Sequence, residues 1–212
     1  MKTLITFDLE LPFRHPIDTE LLDNLKTDRY YHIDVDQQDV NPAFRQWANS
    51  LGYVIGGVEV FCFPKDFAME IHIDGTEFTN KHKINWTYSE HDHLMSWYKP
   101  NENWKERKTV YEQDDGKIDD YSYAFQSDEA DVIATTKVKG NGTKRCTVVN
   151  SGIPHGIETF GGPRVSFSAT LYPAQFTPPH KDWGVDIIIG HNHYQKYIVE
   201  GSEVWYEGTI HN

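Results

Sequence analysis

A histidine and an aspartate stand two residues apart in Ala68-Met69-Glu70-Ile71-His72-Ile73-Asp74-Gly75, and this spacing is the first chemistry the chain offers. Alternate residues of a strand share a face, so Glu70, His72 and Asp74 fall on one side and Met69, Ile71 and Ile73 on the other. The apolar side is expected to lie against helices. An imidazole and a carboxylate at i and i+2 can grip one metal ion together. With one more histidine they form a two-histidine, one-carboxylate triad that leaves positions open on an octahedral ion. Alone, the pair would be the polar face of an ordinary half-exposed strand.

The distal partner is His155, in Asn150-Ser-Gly-Ile-Pro-His155-Gly-Ile-Glu158. Nine residues later comes Arg164-Val165-Ser166, after a Gly161-Gly162-Pro163 loop that reads as the turn of a hairpin. Arg164 and Ser166 share a strand face by the same alternation. A planar guanidinium fork with a hydroxyl beside it is a good carboxylate receptor. The other histidines are weaker candidates. His91-Asp92-His93 sits in a polar turn, and His82 and His180 read as loop residues. His191-Asn192-His193 has metal-ligand spacing, but no downstream strand supplies a further ligand.

Taken in order, His72 and Asp74, then His155, then Arg164 and Ser166, the chain resembles the Fe(II)/2-oxoglutarate-dependent oxygenase superfamily over roughly residues 53–172. The resemblance implies a double-stranded β-helix. It implies Fe(II) held by His72, Asp74 and His155, and 2-oxoglutarate held at its distal carboxylate by Arg164 and Ser166, with O2 as the oxidant. It further implies oxidative decarboxylation to succinate and carbon dioxide, coupled to oxidation of a substrate C–H bond. A looser resemblance to phage, marine-bacterial and aspartyl-hydroxylase-like members puts Asn85 near the cosubstrate. Trp86, Trp97, Tyr98 and Glu158 are then candidates for the substrate pocket. Gly156 departs from the family, where a larger or basic residue often follows the distal histidine, and Glu158 adds a negative charge nearby. Both bear on the substrate rather than on the reaction.

Strands must position these residues. After Gly52 the pattern turns to short, β-branched and aromatic runs bounded by Gly, Pro, Asp and Asn. About eight such runs following two helices predict a mostly β protein: a double-stranded β-helix, jelly-roll or cupin-like, with N-terminal helices packed on one sheet. The helices are expected over residues 18–28 and after Asn41-Pro42, the latter burying Phe44, Trp47, Ala48 and Leu51. Residues 132–150 read as a hairpin about Gly140-Asn-Gly142, residues 100–120 as a polar loop gating the substrate, and DIIIG and EVWYEG as strands extending a sheet edge. One domain is expected over 1–212: helical support over 1–52, the β-helix over 53–172 and a C-terminal extension over 173–212.

Composition narrows the partners. A net charge of -12 disfavours a nucleic-acid surface, which depends on basic groups. No apolar run approaches the roughly 20 residues needed to cross a bilayer, and Asp8 and Glu10 interrupt the N-terminus before a signal sequence forms. The two cysteines, Cys62 and Cys146, lack ligand spacing and read as buried thiols in a reducing cytoplasm. The expected partner is an amino-acid residue, peptide or small metabolite to be hydroxylated. Two other readings stay open at this point. One is a cupin-type metalloenzyme that does not use 2-oxoglutarate. The other is a non-catalytic carbohydrate-binding or structural jelly roll, in which the three ligands would be scattered over the surface.

Overall fold

A computed structural model describes residues 2–17, 25, 27–75, 78–105, 108–112, 118–139, 145–175, 184–208 and 210. Among them, thirteen strands form two antiparallel sheets. The strands are β1 (Lys2–Glu10), β2 (Tyr31–Asp34), β3 (Tyr53–Phe63), β4 (Ile71–His72), β5 (His82–Tyr88), β6 (Asp92–Pro100), β7 (Lys108–Glu112), β8 (Ile118–Phe125), β9 (Ala130–Lys139), β10 (Arg145–Asn150), β11 (His155–Glu158), β12 (Arg164–Pro173) and β13 (Val204–Glu207). The larger sheet runs β13-β1-β10-β5-β12-β3-β2 and the smaller β7-β8-β4-β11-β6-β9.

Eight of these strands make the fold legible. β3 pairs with β12, β4 with β11, β5 with β10 and β6 with β9, so each strand meets its counterpart counted from the other end. A long hairpin has been rolled up, with successive turns falling in opposite sheets. That is a double-stranded β-helix, the jelly-roll architecture. β1, β2 and β13 widen the larger sheet, and β7 and β8 widen the smaller.

The larger sheet is apolar on its outer face. Val58, Val60 and Cys62 of β3, Ile84 and Trp86 of β5, Val148 of β10 and Phe167, Ala169 and Leu171 of β12 pack there into the main core. Helix α1 (Pro42–Ser50) closes it with Phe44, Trp47 and Ala48. Asn41 caps this helix, its side chain accepting from the Ala43 amide at 2.8 Å, and Pro42 occupies the first turn, where a missing N–H costs nothing. Gly52, at φ 79°, takes the left-handed conformation that lets the chain turn into β3. Trp86 meets Phe13 and Phe44 in this core.

Several local expectations are corrected by the rolled-up topology. Residues 132–150 do not form a hairpin: β9 pairs with β6, and β10 with β1 and β5 in the other sheet. β11 and β12 likewise lie in different sheets. Turn residues report that the chain reverses, but carry no information about which sheet it returns to. Residues 108–112 and 118–125, expected within or beside a long loop, pair as strands. DIIIG is not a strand. Asp186 accepts from the amides of Ile188 and Ile189 and starts helix α2 (Ile187–Tyr194), its short side chain outweighing the β-branched run. EVWYEG does extend the larger sheet, as β13 beside β1. The first 52 residues are not solely helical support, because β1 and β2 are strands of the larger sheet. The helix expected over 18–28 falls mainly outside the described residues. Cys62 and Cys146 are buried and free, and no described helix is long and apolar enough to cross a membrane.

Candidate metal centre

β4 contributes only two residues to its sheet, yet it is held on both sides. His72 lies opposite Ala124 of β8 and opposite His155 of β11. Directly opposed residues of an antiparallel pair project to the same face, a few ångströms apart. The two imidazoles accordingly meet, with ring centroids 4.5 Å apart. Asp74 follows as the strand ends, its amide donating to the Ser151 carbonyl at 2.9 Å.

Each imidazole is fixed by the carbonyl two residues before it. His72 Nδ1 lies 2.8 Å from the Glu70 carbonyl and His155 Nδ1 lies 2.9 Å from that of Ile153. A carbonyl only accepts, so Nδ1 carries a proton in both rings and Nε2 is the nitrogen left to ligate a metal. Asp74 Oδ1 is 3.5 Å from His72 Nε2 and 4.0 Å from His155 Nε2. The three ligand atoms lie within 4.8 Å of one another, the arrangement of a group that could hold one metal ion. Backbone partners at the outer nitrogens are what orient histidine ligands in metal sites.

The electrostatics suit a cation. Burial pushes the Asp74 carboxyl up, but Lys83 and the two imidazoles outweigh it and hold it well below the usual carboxylate range. Burial and the neighbouring His72 lower His155 to about 4, leaving it neutral. Burial also opposes charge on His72, but Asp74 prevails and raises it.

These ligands open on a cavity of about 540 Å³ between the sheets. Its floor is the inner face of the larger sheet, and strand alternation dictates that floor. On β5, Lys83, Asn85 and Thr87 share a face. On β12, Arg164, Ser166 and Ser168 do, with Ser168 opposite Asn85 and Ser166 opposite Thr87. Lys83, Asn85, Ser166 and Ser168 line the cavity, with Glu59, Phe61 and Phe63 of β3 beside them. From Ser168 to Arg164 is four residues, or about 13 Å along the strand.

Arg164 shares this face of β12 but lies beyond the residues that line the cavity, and it is the anomaly there. It is 1% exposed, and neither Nε nor Nη1 has a hydrogen-bond partner. Nη2 reaches only Thr87 Oγ1 at 3.4 Å and Ser166 Oγ at 3.5 Å, both long. The guanidinium lies 5.5 Å from the Phe63 ring centre, and burial lowers it to about 10, with no carboxylate among the described residues offsetting that effect. A buried cation without an anion is costly, and buried donors are nearly always satisfied. Asn85 Oδ1 is likewise buried without a partner. The orphaned guanidinium donors mark where an anionic ligand would be stabilised, whereas Asn85 Oδ1, an acceptor, calls for a donor.

The remaining expected site residues lie elsewhere. Trp86 is fully buried in the outer core, because a strand that turns Asn85 inward must turn Trp86 outward. Trp97 points inward but packs between the sheets, Nε1 donating to the Asn150 carbonyl at 3.1 Å; Met95, two residues earlier, lines the cavity instead. Tyr98 packs with Ile71, Ile73 and Phe125 in a separate cluster. Glu158 is exposed, an odd number of residues from His155 and so on the other face of β11. The apolar side of β4 does not face helices: Ile71 and Ile73 meet Phe125 and Ala130. Alternation also breaks before Ile71, so that Met69 lines the cavity and Glu70 is exposed. Lys83, Thr87 and Glu59 were not anticipated, although the first two flank Asn85 at i±2 and the period of the strand points to them.

No family model matches the chain, and no curated protein is similar to it in sequence. Similar solved structures include HygX from Streptomyces hygroscopicus with nickel and 2-oxoglutarate bound (14% identity, 76% of this chain and 77% of that one, TM-score 0.42). They also include a 2OG-Fe(II) oxygenase family oxidoreductase from Burkholderia pseudomallei (15%, 74% and 70%, 0.35). A third is an RmlC-like cupin from Desulfovibrio desulfuricans (11%, 73% and 96%, 0.33). Likeness this slight carries no argument about function.

Proposed function

We propose that this chain is an Fe(II)- and 2-oxoglutarate-dependent oxygenase that hydroxylates an amino-acid residue, peptide or small metabolite. The observation that carries the reading is Arg164: a guanidinium buried without an anion, on the same sheet face that Asp74 reaches through Lys83. A metal site alone would not call for it. A dicarboxylate with a keto acid at one end does, since one end needs the metal and the other a fixed cation.

The residues fit both groups. His72, Asp74 and His155 would hold the iron, and Arg164 with Ser166 and Thr87 would hold the far carboxylate, with Asn85 between. The charges of Asp74 and Glu59 cancel those of Lys83 and Arg164, so a dication entering with a dianion leaves the buried site neutral. When bound, iron and cosubstrate supply oxidation by dioxygen, giving succinate, carbon dioxide and a hydroxylated product. The protein's part is to hold both ends of the cosubstrate, to keep the imidazoles neutral at Nε2, and to wall the reacting space with Phe61, Phe63, Met69, Met95 and Ile157.

The convergence of the three ligands argues against the reading in which they are scattered over a non-catalytic jelly roll. A cupin-type metalloenzyme without 2-oxoglutarate leaves Arg164 unexplained. Calorimetric titration of 2-oxoglutarate into the Mn(II)-loaded and metal-free protein separates the two. Binding that needs the metal, and that succinate does not reproduce, is expected. Binding indifferent to metal, or none, would contradict the proposal.

A further inference from the structure

The two oxygens of Asp74 do different work. Oδ1 faces the histidines, 3.5 Å from His72 Nε2 and 4.0 Å from His155 Nε2. Oδ2 faces away, 3.1 Å from Lys83 Nζ, and the same ammonium is 3.0 Å from Glu59 Oε2. All three charged side chains are largely shielded, with side-chain exposures of 17% for Lys83, 27% for Asp74 and 30% for Glu59. A charge-assisted bond in such surroundings is short and directional. It also ties the two sheets together, since Asp74 follows β4 in one and Lys83 lies on β5 in the other.

We propose that Lys83, anchored by Glu59, is a positioning residue that keeps Asp74 from gripping a metal ion with both oxygens. The inference rests on the metal-binding half of the proposed function. Carboxylates bind metals through one oxygen or two, and the count matters here. Two histidines and one oxygen leave three places on an octahedral ion, enough for a two-atom chelate and dioxygen together. A second oxygen from Asp74 would leave two. Lys83 occupies that oxygen. Its ammonium must also repel a nearby cation, so a lysine kept solely for metal affinity would be a poor choice. Glu59 offsets the charge and aims the side chain. Thus Lys83 favours open coordination at the expense of affinity.

That opposition gives the test a sign that a merely structural lysine would not show. The full chain carrying Lys83→Met with Glu59→Gln, which removes the ammonium without stranding the Glu59 carboxylate, is loaded with Mn(II). Metal-bound waters are counted from the broadening of the Mn(II) resonance in ¹⁷O-water. Three waters are expected in the wild type and in Lys83→Arg, and two in the double variant. Mn(II) affinity is expected to be equal or higher in the double variant. Lys83→Gln serves as the milder variant, with the same expected loss of one water. Three waters in both variants, or Mn(II) affinity and melting temperature falling together, would overturn the proposal. The water count needs no cosubstrate. Loss of one water in a protein that never binds 2-oxoglutarate therefore upholds the role of Lys83 and refutes the cosubstrate instead. Where the wild type does bind it, the double variant should bind it about tenfold more weakly or worse.

Discussion

His155 lies directly opposite His72 in the β4–β11 ladder, so two residues far apart in sequence are brought together by backbone pairing rather than by a loop. Each ring is further held by a carbonyl two residues before it, of Glu70 and of Ile153. The centre is therefore built before any metal arrives, which cuts the ordering cost of binding.

Removing either imidazole should abolish tight metal binding without unfolding the protein. His72→Ala or His155→Ala is expected to weaken Mn(II) or Co(II) binding at least a hundredfold, measured by titration with a competing chelator. The fold should persist, since the apolar clusters do not include either ring. Near-unchanged affinity in both variants would place the metal elsewhere.

Arg164→Met should trade ligand binding for stability. The guanidinium is buried without an acidic partner, so replacing it by an apolar side chain of similar length should stabilise the ligand-free protein by about 1–3 kcal/mol. Affinity for 2-oxoglutarate should fall at least a hundredfold while metal affinity holds. Denaturant melts and calorimetry on one sample read both effects. A variant that loses stability and keeps 2-oxoglutarate would show that Arg164 is a packing residue.

Trp86→Ala tests the placement of the aromatics. Trp86 is fully buried against Phe13 and Phe44, so its truncation should cost about 3–5 kcal/mol in stability. Metal affinity of the folded fraction should be unchanged, because Asn85 and not Trp86 faces the cavity. A small stability change with altered ligand affinity would reverse that assignment.

The acid side of the stability profile should depend on His82. This ring is 1% exposed, with Nδ1 donating to the Val185 carbonyl at 2.7 Å and Nε2 accepting from the Tyr194 hydroxyl at 3.1 Å. Burial lowers it from 6.5 to about 4. The unfolded chain therefore takes up a proton that the folded one refuses, and stability falls as pH drops from 6.5 towards 4. The gap corresponds to a loss on the order of 3 kcal/mol. His93 and His155, also lowered to about 4, act in the same direction. In metal-free protein, His82→Gln should shallow the decline in melting temperature over this range. An unchanged slope would mean that His82 is not held neutral.

Much of this was readable from residue order because strand alternation is local. The grouping of His72 with Asp74, of Arg164 with Ser166, and the capped helix after Asn41 all follow from neighbours two to four residues apart. The partnership of sheets was not readable. Gly140-Asn-Gly142 and Gly161-Gly162-Pro163 announce reversals, but a rolled-up hairpin sends each successive strand to the opposite sheet. The same alternation on β5 carries further signal. The period that turns Asn85 inward assigns Lys83 to the cavity, Thr87 to the same face beside Arg164, and Trp86 to the outer core. Glu59 could not be found this way, since it joins the site through its register with Ser168 across β3 and β12.

The most direct measurement is optical. Under anaerobic conditions, Fe(II) and 2-oxoglutarate are added separately and then together to the wild type and to Arg164→Met. An iron-bound keto acid gives a weak visible charge-transfer band, so a band is expected in the wild type only when both are present. It should be lost or need far more 2-oxoglutarate in Arg164→Met. No band in the wild type under saturating Fe(II) and 2-oxoglutarate would contradict the assignment of this site to 2-oxoglutarate-dependent oxidation.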